Sequence, residues 1–195
     1  MRKALILLGF AAIVVMGFSA VSHADVIDFE DLNVYAPAPV PSGYAGFNWS
    51  SYSYVIGKYY HPGSGYDYGT QGNVSLFGAY AYGFSFSNTN PFYLNGMYIT
   101  SAWAGTQNVT VEGYRNGSLM HTKTVLTSND KAYWFDFNYD NIDTVLFKQS
   151  ADHIDVDNIT YNQQGGGPAV PEPASMSLLG IGLLGAIGAG LKKKK

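Results

Sequence analysis

Three polar side chains stand at alternate positions near the end of the chain: His153, Asp155 and Asp157, in the string His153-Ile154-Asp155-Val156-Asp157-Asn158-Ile159. In a strand this spacing projects all three to one face and sends Ile154 and Val156 to the other. Clustered carboxylates suit a hard cation, and calcium takes six to eight oxygen ligands at about 2.3 to 2.6 Å. The spacing is not that of an EF-hand loop, because no Gly or terminal Glu follows at the required offsets. Solvated acids and turn-forming Asp and Asn account for the same pattern without a metal.

A second group is aromatic. Trp49, Tyr52, Tyr54, Tyr59, Tyr60, Tyr66 and Tyr68, with Trp103 further along, supply planes on which sugar rings can stack and hydroxyls that can bond to them. Tyrosine is also half-buried filler in β-sandwiches, so both readings stay open. Patterns for catalysis are sparse. The body holds three histidines, His61, His121 and His153, and two glutamates, Glu30 and Glu112. No Gly-x-Ser-x-Gly or His-Glu-x-x-His string occurs. A glycosidase needs two carboxylates at a set separation, which a sequence does not reveal. The expectation is a non-catalytic protein, with a matrix-acting glycoside hydrolase as an alternative. The absence of cysteine excludes thiol catalysis and zinc-thiolate sites.

The elements that must position these residues read as strands. Helical periodicity is scarce, while Tyr, Thr, Val, Phe, Gly and Asn recur between turn signals, which predicts an all-β, antiparallel sandwich. Strands are expected at 26–29, 92–100, 108–115, 118–126, 132–137, 144–148 and 154–161. Asn116-Gly117 predicts a type I′ hairpin that sets Arg115 opposite Ser118 and Glu112 opposite His121, with Val109 and Val111 on the core side. Alternation puts Phe135 and Phe137 together in the core, and a slip of the apolar phase at Asn95-Gly96 predicts a bulge. Residues 50–72 keep no steady period and are expected to be long loops joining short strands.

Both ends differ from this body. Arg2 and Lys3 precede an uncharged run over 4–18, and Ser22-His23-Ala24 offers a small-x-small cleavage site, so 1–24 reads as an export signal. At the other end, the uncharged run 174–191 closes on Lys192, Lys193, Lys194 and Lys195. As a helix this run reaches roughly 27 Å, enough to cross a bilayer with the lysines on the cytoplasmic side. Residues 165–169 form a Gly-rich linker, which leaves 25–164 as one domain. The whole chain carries −3, yet its ends hold six of the 11 basic residues; the body keeps five against 13 acids, a net of −8. Nucleic acid is a poor partner for such a surface.

The segment 170–195 contains Val170-Pro171-Glu172-Pro173, then the spanning run, then a basic end. This order resembles the PEP-CTERM sorting signal, although the basic end is all lysine where arginine is usual. The resemblance implies an exosortase-type processing enzyme in a Gram-negative bacterium. It further implies membrane attachment through the C-terminal helix before processing, then a place at the cell surface or in an exopolysaccharide or biofilm matrix.

The opening Val26-Ile27-Asp28-Phe29-Glu30-Asp31-Leu32 and the closing Ile154 to Ile159 resemble the first and last strands of jelly-roll domains related to carbohydrate-binding modules. That resemblance implies a structural calcium held by Glu30 and Asp157, with Asp31, Asp155 and Asn158 as helpers. The expected function is a non-catalytic surface or matrix protein associated with polysaccharide. A calcium-stabilised lectin-like module is the alternative.

Overall fold

A computed structural model describes residues 24–162, so the export signal and the sorting tail with its spanning helix lie outside the described residues. The chain forms β1 (Asp25–Ile27), β2 (Ala38–Pro39), β3 (Asn48–Trp49), β4 (Ser53–Gly57), a short helix α1 (Gly65–Gly69) and β5 (Val74–Gly78). There follow β6 (Phe84–Ser101), β7 (Thr106–Arg115), β8 (Ser118–Ser128), β9 (Tyr133–Gln149) and β10 (Ile154–Tyr161). Pairing is antiparallel in the order β2-β4-β5-β10-β6-β9-β7-β8, with β1 beside the end of β10 and β3 beside the start of β6. The all-β expectation holds.

β6 has 18 residues and would extend about 60 Å if straight. It bends instead, together with its partner β9. Their register slips between Ser87 and Phe92 and again between Leu94 and Gly96, while Asn138 and Asn141 take φ of 54° and 52°. Each slip is a bulge that turns the ribbon, and asparagine tolerates the left-handed backbone a bulge requires. The ribbon thereby joins two layers. The start of β6 and the end of β9 lie with β3, β7 and β8; their other halves lie with β10, β5, β4 and β2. Phe84, Phe86, Leu94, Ile99, Phe147 and Val156 are buried between them, and Phe84 stacks on Phe147 at 4.4 Å.

The outer face of the second layer carries a smaller cluster of Ile56, Tyr66, Phe77, Ala79 and Ala102. On β4 and β5 the strand alternation sends Val55 and Leu76 inward to the main core and Ile56 and Phe77 outward to this cluster. α1 covers it. Both described ends of the chain leave from one pole, where Asp25 pairs with Tyr161 and Asn162 Nδ2 donates to Asp25 Oδ2 at 3.1 Å. Ile154, at the start of β10, pairs with Ser101 at the opposite pole.

Several local expectations change. The strands expected at 132–137 and 144–148 are one, β9, because the bend between them preserves pairing with β6. The strand expected at 92–100 begins already at Phe84, and the opening strand stops at Ile27 because Phe29 turns to φ 61°. Arg115 faces Ser118, but Glu112 faces Thr122 and His121 faces Gly113, since a bulge falls between Gly113 and Tyr114. Phe137 is buried, whereas Phe135 is partly exposed at the core edge. Residues 50–72 contain β4 and α1 as well as loops.

Candidate functional site

The chain from Lys58 to Asn73 forms a strap across the outer face of β5, β10 and β6, held there by Glu30, in the turn after β1, and by Asp155 and Asp157 of β10. Gly65 and Gly69 let α1 lie flat: a Cβ on Gly65 would penetrate the Ser101 carbonyl, and one on Gly69 would stand 2.7 Å from Asp155 Oδ2. Gly65 N–H donates to Ala102 O at 2.8 Å, and Tyr66, 1% exposed, fills the small cluster with its hydroxyl 3.1 Å from His153 Nδ1. Thr70 Oγ1 donates to Tyr66 O at 2.6 Å, and Lys58 Nζ to Thr70 O at 3.1 Å.

His153, Asp155 and Asp157 share a face as their spacing predicts, but the strap covers that face. Asp155 and Asp157 are each 1% exposed, so they are not solvated acids. Ser75 Oγ donates to Asp155 Oδ1. Gln71 N–H donates to Asp157 Oδ2 and Asn158 N–H to Asp157 Oδ1, both at 2.7 Å. Glu30 Oε1 accepts from Asn73 N–H at 2.7 Å and Val74 N–H at 3.0 Å, while Asn73 Nδ2 donates to Oε2 at 3.0 Å.

Burial pushes Asp155 well above the usual carboxylate range, against the Ser75 hydrogen bond and with added repulsion from Asp157. Burial likewise pushes Asp157 up to about 7, opposed by the Gln71 and Asn158 N–H groups and reinforced by Glu30 and Asp28. Burial also works on Glu30, but the Asn73 and Val74 donors outweigh it and hold this carboxyl below its ordinary value.

Of the residues expected around calcium, Glu30, Asp155 and Asp157 therefore meet at the strap, with their oxygens turned to N–H and O–H donors. Asp31 is drawn elsewhere, accepting from Tyr44 Oη at 2.6 Å, and Asn158 sits half-buried at φ 48°. Among the described residues no three His, Asp or Glu side chains are placed to hold a metal ion.

The aromatic residues separate into several places. Trp49 belongs to the edge of the main core, packed on Phe29, Phe47 and Phe86 with its Nε1 donating to Tyr44 O at 2.9 Å. Tyr66 is core, and Tyr54 is half-buried against Phe77. A surface row remains. Tyr60 meets His61 at 4.7 Å between ring centres, His61 meets Trp103 at 4.9 Å, and Tyr35 extends the row from Tyr60 at 5.5 Å. Tyr59 and Tyr68 are exposed on the same strap, Tyr59 with Lys58 Nζ 5.9 Å from its ring centre. Tyr52 lies apart, 5.0 Å from Tyr82.

Tyr35 and His61 were not legible as members of this row, because the strap that joins them has no sequence period. The other titratable candidates have structural partners. Glu112 accepts from Lys148 Nζ at 2.7 Å and from Tyr114 Oη at 2.5 Å, and His121 pairs with Asp140 at 3.0 Å while stacked on Tyr139. What the surface offers chemically is flat aromatic area with hydroxyl and imidazole edges.

Residues 169–194 match the PEP-CTERM protein-sorting motif. Comparison with curated proteins gives no match. Among solved structures, a DUF4465 family protein from Bacteroides caccae is similar with a TM-score of 0.50 and 15% identity, over 73% of this chain and 100% of that one. At that identity the likeness speaks for the β-sandwich fold alone. Among the described residues no helix is long and apolar enough to cross a membrane.

Proposed function

We propose that this is a non-catalytic surface or matrix protein whose sandwich associates with extracellular polysaccharide through the row Tyr60, His61 and Trp103. The motif at 169–194 marks the chain for export and exosortase processing, with anchoring in the membrane before that step. The observation that carries the polysaccharide reading is the row itself: rings held edge to face at 4.7 and 4.9 Å, with Trp103 still 43% exposed. Rigid aromatic planes lose little entropy on binding and match the C–H faces of sugar rings.

Affinity electrophoresis of the purified protein through gels containing the producing strain's exopolysaccharide tests this. Retardation that weakens in Trp103→Ala is expected. Unchanged mobility in every polysaccharide tried would overturn the reading, and release of reducing ends from the polymer would make the protein an enzyme instead.

A calcium-stabilised, lectin-like module is the second reading; it rests on Glu30, Asp155 and Asp157 being gathered under one strap, where their oxygens are engaged by N–H and O–H donors. Binding at a 100-fold excess over Kd adds about 2.7 kcal/mol, so a melting curve that chelator leaves unmoved removes it.

A further inference from the structure

The connection between β5 and β6 adopts a backbone that its residues disfavour. Tyr80 takes φ 60° and ψ 22°, Ala81 takes φ 56°, and Tyr82 N–H donates to Ala79 O at 3.2 Å. Positive φ at both central residues with this hydrogen bond makes a type I′ turn, whose low-energy occupants are Asn and Gly. The same molecule uses that solution elsewhere, at Asn116 (φ 49°) and Gly117 (φ 78°) between β7 and β8. At 79–82 the chain instead places tyrosine and alanine in the left-handed region, where a Cβ is penalised.

Ala79 anchors the turn in the small cluster and donates its N–H to Tyr52 O at 2.9 Å, but the Tyr80 side chain takes no part in that packing, being 74% exposed. Strain kept on an exposed side chain marks a position held for contact with something outside the chain. Tyr80 and Tyr82, two residues apart on this turn, are both exposed, and the Tyr82 ring lies 5.0 Å from that of Tyr52 at an angle of 57°. The charge of this segment narrows the partner. No Asp, Glu, Lys or Arg occurs between Asp67 and Glu112, while the body as a whole is acidic. A polyanion is repelled by such a body and finds no cation in this segment; an uncharged, hydroxyl-rich ring finds planes and phenolic hydroxyls.

We infer that Tyr52, Tyr80 and Tyr82 form a stacking platform for an uncharged polysaccharide, separate from the Trp103 row. The inference rests on the polysaccharide reading above and adds both a site and a ligand class to it. The platform lies at the pole away from the chain ends, because Phe77, just before the turn, pairs with Asp155 at the start of β10.

The test is affinity electrophoresis of wild type, Tyr80→Asn/Ala81→Gly and Trp103→Ala in gels containing a neutral β-glucan, a neutral galactomannan or anionic alginate. Wild type is expected to be retarded by a neutral polymer and not by alginate. The Asn-Gly variant should melt at a higher temperature, having lost the strain, and yet bind about tenfold more weakly, or ~1.4 kcal/mol.

Wild-type affinity in that variant with loss in Trp103→Ala overturns the platform and leaves the Trp103 reading standing. Retardation by alginate alone overturns the ligand class, and a lower melting temperature in the Asn-Gly variant overturns the strain argument. Wild type that no polymer retards overturns the polysaccharide reading itself.

Discussion

Asp155 sits under the strap with Ser75 and Thr70 as its neighbours, where an ionised carboxylate would lack the hydration it has in water. Its pKa is raised, and that of Asp157 reaches about 7. Unfolded aspartate titrates near ~3.9, so both groups hold their protons more tightly in the folded state. The contribution of each is complete below that value and declines as pH rises, for Asp157 through the window up to about 7. Glu30 acts in the opposite sense: its pKa is lowered, and its contribution is lost as the medium turns acidic.

Asp155→Asn keeps the shape and supplies an amide donor where the acid holds its proton. Measured in chelator, this variant should lose less stability than the parent between pH ~5 and ~8. Equal losses would mean that Asp155 is already ionised in the fold. The shared face of these acids could be read from alternation along one strand. Their burial could not, because it depends on a strap whose glycines approach the sheet without any periodic signal.

The strap behaves as one element because its fastenings are close together in sequence: Glu30 takes Asn73 and Val74, Asp157 takes Gln71, and α1 is seated by Gly65 and Gly69. It also carries Tyr59, Tyr60, His61 and Tyr68, so its seating fixes much of the aromatic row. Gly65→Ala forces a methyl group into the Ser101 carbonyl and should cost ~1–3 kcal/mol, as overpacking does. Hydrogen exchange should then quicken in the strap while the β6–β9 ribbon keeps its protection, because the two make separate clusters. Uniform acceleration through both would show that the strap does not open alone.

Element boundaries show a similar division between local and distant causes. The β7–β8 hairpin was readable because Asn116-Gly117 is a local signal that fixes its own geometry. The continuous β9 was not, since its bend is set by bulges shared with β6, and 138–141 taken alone looks like a break. The turn at 79–82 escaped for the reverse reason. Its sequence alternates Ala-Tyr-Ala-Tyr like a strand, against the conformation it adopts.

At the scale of the molecule, the pairing of Asp25 with Tyr161 gathers both chain ends at one pole. The apolar run of the sorting motif begins at residue 174, so residues 163–173 can separate the sandwich from it by no more than ~40 Å. While the precursor is anchored, the pole near Tyr161 is therefore expected to lie on the membrane side. That pole includes the ribbon corner, where Phe92 meets Tyr161 at 6.4 Å and Asn162 N–H donates to Tyr93 O at 2.7 Å. Trp103 and the 79–82 turn face away from it.

The cysteine-free sequence makes this orientation measurable. A single cysteine at Thr89, beside the corner, and one at Asp130, near the Trp103 pole through Asn129 Nδ2 and Trp103 O, are both exposed sites. In membranes from cells that accumulate the unprocessed precursor, a bulky maleimide should label Asp130→Cys faster than Thr89→Cys. After detergent extraction the two rates should converge, because only the bilayer distinguishes the sites. Equal rates in the membrane would mean that the sandwich lies on its side or tumbles freely, and the aromatic pole would then have no preferred direction.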